Sequence, residues 1–189
     1  MKQLLRNMYV KNKTIILRSD LNVPIVDGNI IDDTKIIKSL ETINYLLQEN
    51  CKIIILSHLG RVKTESDKIN NSLKPIKNHL EHLLNKEIKF SSDILSADTR
   101  LLAENLQPQD ILLLENTRFL DIPNMLESNL DLDTAKKIAE LGEIFVLDAF
   151  ASLHRAHTSV VGIPQFLPNC LGFLVEEELK LLDSTVINP

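Results

Sequence analysis

Lys52-Ile53-Ile54-Ile55-Leu56, followed at once by Ser57-His58-Leu59-Gly60-Arg61, is the stretch from which the architecture can be read. An apolar, β-branched run without polar alternation predicts a strand buried on both faces, which a parallel sheet covered on each side by helices provides. Runs of the same kind recur at residues 14–17, 87–90, 111–114, 144–147 and 171–174. Between them lie segments of helical periodicity at residues 33–49, 72–84, 97–105 and 133–141. In the first, Ile36, Ile37, Leu40, Ile43, Leu46 and Leu47 form one stripe. Strand alternating with helix predicts an α/β domain with a parallel sheet and right-handed crossovers. Ser72 is expected to cap the second helix, with Pro75 in its first turn, and residues 176–182 read as a short amphipathic helix.

Composition narrows the function classes. A chain of 189 residues with 44% apolar content can bury one substantial core. A net charge of −5 and a pI near 5.5 exclude recognition of nucleic acid or an acidic membrane through overall electrostatics, so any anion site must be a local gathering of cations. Cys51 and Cys170 lack metal-type spacing and read as buried thiols in a reducing compartment. No apolar run approaches the roughly 20 residues that span a bilayer, and a cytoplasmic protein is expected. Residues 62–71, 120–131 and 162–168 read as exposed, mobile loops.

In an open parallel sheet, ligands bind beyond the carboxyl ends of the strands. Those positions are polar here: Arg18, Asp20 and Asn22 after the first run, His58, Gly60 and Arg61 after the second, Glu115 and Arg118 after the fourth, then Asp148 with His154, Arg155 and His157 after the fifth. Such a lining suits a small, multiply charged anion, because arginine offers a planar fork and histidine a donor that titrates near neutrality. Each residue also has a plainer reading. Asp20 and Asn22 are common turn formers, His58 could be a bonded core histidine, and Arg118 could pair with Glu115. His154 and His157 lack further partners for a metal site. Lys63, Lys68, Lys136 and Lys137 fit solvated faces.

The motifs 18–24 (RSDLNVP), 27–36 (DGNIIDDTKI), 57–61 (SHLGR), 113–119 (LLENTRF), 148–150 (DAF), 154–157 (HRAH) and 172–174 (GFL) resemble, in order, those of the phosphoglycerate kinases. The resemblance implies a Rossmann-like three-layer fold in which residues 1–175 form an N-terminal 3-phosphoglycerate-binding domain. Residues 176–189 would be an interdomain helix and the start of a hinge at Asn188-Pro189, with the C-terminal nucleotide-binding domain absent. It implies phosphoryl transfer between 1,3-bisphosphoglycerate and ADP in glycolysis, with MgATP or MgADP held by that other domain and no cofactor on this chain. It assigns Asp20, Leu21, Asn22, His58, Leu59, Gly60, Arg61, Arg118 and Arg155 to the substrate. Lys35 would both bind substrate and act catalytically, where the family carries an arginine. The expected partners are 3-phosphoglycerate or 1,3-bisphosphoglycerate and the C-terminal domain, with no nucleic acid, no membrane and a monomeric state. The isolated chain would bind substrate without turnover; the alternative is a free-standing, inactive binding or interaction protein derived from the kinase. Leu147 in place of Asn, Ala151-Ser152-Leu153 in place of Gly-Thr-Ala and Val62 in place of Pro depart from the pattern.

Overall fold

The computed structural model of the chain describes residues 3–187; the expected hinge start at Asn188-Pro189 lies outside them. The strands are β1 (Thr14–Ser19), β2 (Ile25–Val26), β3 (Asn29–Ile30), β4 (Lys52–Leu56), β5 (Lys89–Ser91), β6 (Ile111–Leu114), β7 (Ile144–Asp148) and β8 (Asn169–Leu171). The helices are α1 (Thr34–Gln48), α2 (Lys74–Leu84), α3 (Ala97–Glu104), α4 (Leu132–Ala139) and α5 (Phe173–Ile187). Six strands form one parallel sheet in the order β5-β6-β4-β1-β7-β8, while β2 and β3 pair as an antiparallel hairpin.

The continuous apolar runs are explained by the two cores that this sheet separates. Ile15, Leu17, Ile53, Ile55, Leu113 and Val146 point to one side, where they pack with Ile36, Ile43 and Leu46 of α1 and Ile76 and Leu80 of α2. Ile16, Ile54, Leu56, Leu112, Leu114 and Phe145 point to the other, against Ala103 of α3 and Ala135 and Ile138 of α4. Successive strand residues serve opposite faces, so both must be apolar. Leu147, where the family resemblance calls for Asn, belongs to this second core. Cys51 and Cys170 are buried as expected, and burial pushes their thiols up to about 11 and about 12. Among the described residues, no helix is long and apolar enough to cross a membrane.

Several local expectations are corrected. The run at 171–174 is not a strand: β8 ends at Leu171 and α5 begins at Phe173, so the final helix is longer than 176–182. Thr42 Oγ1 accepts the Phe173 N–H at 3.2 Å and Asp148 Oδ1 that of Val175 at 3.3 Å, so residues distant in sequence cap the helix start. Ser72 is not the N-cap of α2; that place is Leu73, while the Ser72 hydroxyl donates to Glu115 Oε2 at 2.7 Å. Residues 120–131 and 162–168 are not simply exposed loops, because Asp121, Glu127 and Ile163 are buried.

Candidate active site

The loops that leave β1, β4, β6 and β7 meet at one edge of the sheet, around the point where strand order reverses beside β1. Buried polar side chains stitch them together. Ser57 Oγ donates to the Ser19 carbonyl at 2.9 Å and accepts the Leu21 N–H at 3.0 Å, tying the β4 exit to the β1 exit. Asn116 accepts from Leu59 N–H at 3.2 Å and Arg118 N–H at 3.1 Å, and donates to the carbonyls of Leu59 and Asn71, both at 2.8 Å. Glu115 accepts from the backbone of Leu73 and Asn116, each at 2.8 Å. Its carboxylate is occupied there, so Arg118 is not its partner. Arg118 lies instead 3.7 Å from Asp121 and 3.4 Å from Ser128 Oγ. Ser57 and Glu115 directly follow the apolar runs of β4 and β6, with Asn116 next in line; polar residues at that place signal a stitching role.

This frame opens a cleft of about 590 Å³ lined by Asn22, His58, Gly60, Arg61, Arg118 and Arg155, with Val62, Ile122 and Met125 adding an apolar edge. The three arginines expected to converge therefore face one space. Gly60 takes a left-handed backbone, φ 57°, and its N–H donates to Asn22 Oδ1 at 2.9 Å, which sets the turn that presents Arg61. Asp20 and Lys35 do not line the cleft but lie beside it. Lys35 Nζ donates to Asp20 Oδ2 at 3.0 Å, and Lys35 is one of the charges acting on His58. Leu21 and Leu59 are core residues whose N–H groups are already used by Ser57 and Asn116, so neither offers its side chain or amide to the cleft.

Electrostatics corrects one expectation. His58 does not titrate near neutrality: burial first, then the charges of Arg18, Arg118, Arg155 and Lys35, push its pKa down to about 2. His157 is held down at about 4 by burial, then by Arg118 and Arg155. The site at neutral pH is thus a set of arginines around an uncharged imidazole, arranged to hold an anion through forks and a neutral N–H. Among the described residues, no group of three or more His, Cys, Asp or Glu that could hold a metal ion occurs. A larger hollow of about 910 Å³ lies between the β2–β3 hairpin and α2. It contains Lys74, His79 and His82 but no arginine, and His79 is bonded to Asp33 at 2.8 Å, so the arginine-lined cleft is the stronger anion site.

Residues 5–189 match the family model described as phosphoglycerate kinase. A phosphoglycerate kinase of Macrococcus caseolyticus is 43% identical over 188 residues, covering all of this chain and 48% of that protein; one of Listeria innocua is 44% identical with the same coverage. Among solved structures, phosphoglycerate kinase from Coxiella burnetii superposes with a TM-score of 0.85 at 33% identity, over all of this chain and 46% of its own. That of Pyrococcus horikoshii gives 0.82 at 30% identity, over 94% of this chain and 44% of its own. The chain spans about half the length of the curated relatives it matches. The sheet order, the convergent loops and these matches agree, and the chain belongs to the phosphoglycerate kinase family.

Proposed function

We propose that this chain forms the 3-phosphoglycerate-binding half of a phosphoglycerate kinase acting in the cytoplasm in glycolysis. The observation that carries the reading is the single cleft shared by Arg61, Arg118 and Arg155 with the neutral His58. On an acidic chain, three guanidinium groups around one small cleft repel one another when it is empty, and a ligand with phosphate and carboxylate ends relieves that repulsion. Asn22, on the β1 side, would take the substrate hydroxyl or carboxylate. Lys35, held by Asp20, supplies a point charge beside the cleft where the resembling family has a fork.

Phosphoryl transfer calls on the protein for positioning and charge neutralisation, and the substrate carboxylate is its own nucleophile in the direction that makes 1,3-bisphosphoglycerate. The residues of this chain would orient that carboxylate and grip the distal phosphate. MgATP or MgADP would be held by a second domain, and the chain alone would bind substrate without turning it over. Calorimetric titration with 3-phosphoglycerate at low salt, alongside a coupled assay for ADP release, tests both halves of the reading. Binding without turnover is expected; silence at millimolar ligand would refute the site, and turnover would refute the dependence on a second domain.

A further inference from the structure

The cleft's histidine is held from behind by a line of buried polar groups that never reach the ligand space. Arg18 is 1% exposed, and its guanidinium is shared among three neighbours. Nε donates to Ser159 Oγ at 3.0 Å, Nη1 to the Ser19 carbonyl at 2.7 Å, and Nη2 lies 2.9 Å from His58 Nδ1. A guanidinium has no acceptor, so Nδ1 must accept and the proton of the neutral ring belongs on Nε2. Ser159 in turn donates its hydroxyl to Glu127 Oε1 at 2.5 Å and its backbone N–H to Oε2 at 3.0 Å. Carboxylate, hydroxyl, guanidinium and imidazole therefore form one unbroken series running from the segment before α4 to the cleft.

A buried carboxyl is expensive to keep ionised. Burial pushes Glu127 above its ordinary range, while Arg18 and the two bonds from Ser159 pull the other way. An arrangement serving only to neutralise Arg18 would set the carboxylate directly on the guanidinium. Here Ser159 stands between them, fixing Nε and leaving the other end of the fork to the imidazole. The charged groups acting on His58 come from β1 (Arg18), α1 (Lys35) and the segments carrying Arg118 and Arg155; all are cationic. A ring forced to donate from Nε2 adds a directed bond there without adding a fourth repelling charge to the arginine cluster.

We propose that Glu127, Ser159 and Arg18 are positioning residues that lock His58 as its Nε2–H tautomer, so that the ring presents a fixed, uncharged donor to the anion in the cleft. The identity of that anion rests on the phosphoglycerate reading; the tautomer does not. Long-range proton–nitrogen correlation spectra of the 189-residue chain report the tautomer directly, with His58→Gln assigning the signal. A single neutral form with its proton on Nε2 is expected, and a proton on Nδ1 overturns the proposal. Ser159→Ala, which removes the oxygen between Glu127 and Arg18, should yield mixed tautomers and weaken 3-phosphoglycerate binding by about two- to threefold, in step with the fraction of the Nε2–H form that is lost. The same change on a His58→Gln background should add nothing. An unaltered tautomer in Ser159→Ala overturns the relay even if Arg18→Lys, at a wholly buried position, fails to fold. A tautomer that responds to Ser159→Ala in a chain that binds no 3-phosphoglycerate supports the positioning role and removes only the phosphoglycerate reading.

Discussion

With its ring buried among cations, His58 takes up a proton in the folded chain only near pH 2, whereas its ordinary value is 6.5. Between those values the unfolded chain binds a proton that the native state refuses, so stability is lost as pH falls through that window. At about pH 5 the cost from this residue is roughly 2 kcal/mol. Denaturant unfolding at about pH 7.5 and pH 5 should therefore show a steeper loss for the wild type than for His58→Gln, and equal losses would contradict the assigned environment. Glu127 has a raised value and an opposite slope, which the comparison cancels. Arg155 has a partly buried side chain whose bonded side-chain neighbour among the described residues is His154. Arg155→Ala should weaken 3-phosphoglycerate about tenfold or more while the melting temperature stays put. Arg118→Ala should lose affinity and some stability, because it also leans on Asp121 and Ser128. That Arg61, Arg118, Arg155 and His58 gather at one edge of the sheet was legible from their place after strands. The neutrality of His58 was not, because it comes from burial and from Arg18, Arg118, Arg155 and Lys35, which reach the ring from elsewhere in the chain.

At the level of elements, two glycines mark joints that tolerate no side chain. A Cβ on Gly60 would meet a left-handed backbone and run into Asn71 Oδ1. Gly60→Ala should cost about 1–2 kcal/mol of stability and displace Arg61 enough to weaken ligand binding, which thermal melts and titration together would show. A Cβ on Gly172, between β8 and α5, would overlap the Asp148 side chain. Gly172→Ala should destabilise by about 1–3 kcal/mol with ligand affinity changed little; an unaffected unfolding midpoint would mean that Asp148 moves aside freely. The strand–helix alternation was readable because strands buried on both faces and amphipathic helices have distinct periods. The start of α5 was not legible, since its apolar first residues resemble a strand and its caps, Thr42 and Asp148, sit on other elements. The β2–β3 hairpin turns on Asp27-Gly28, both with positive φ, the residue pair that favours a tight hairpin turn.

For the whole molecule, the contrast between a net charge of −5 and a cleft of arginines makes ligand binding more salt-sensitive than folding. The fold rests on two apolar cores, one on each side of the sheet, which salt screens little. Raising ionic strength from about 0.01 M to 0.15 M shortens the Debye length from about 30 Å to about 8 Å. Affinity for 3-phosphoglycerate should fall several-fold over that range with the unfolding midpoint nearly constant; a salt-independent affinity would place the ligand away from the arginines.

Local residue patterns were enough to specify layers and helix faces, because burial on one or both faces imposes a period that the chain must obey. They also flagged the loops that carry cations, since charged residues at the ends of buried strands have few other uses. Which cations share a cleft, which leucines turn inward and which ring nitrogen keeps its proton were decided by the folded chain. Those outcomes depend on side chains such as Ser57, Asn116, Ser159 and Glu127 meeting partners that lie far away along the sequence.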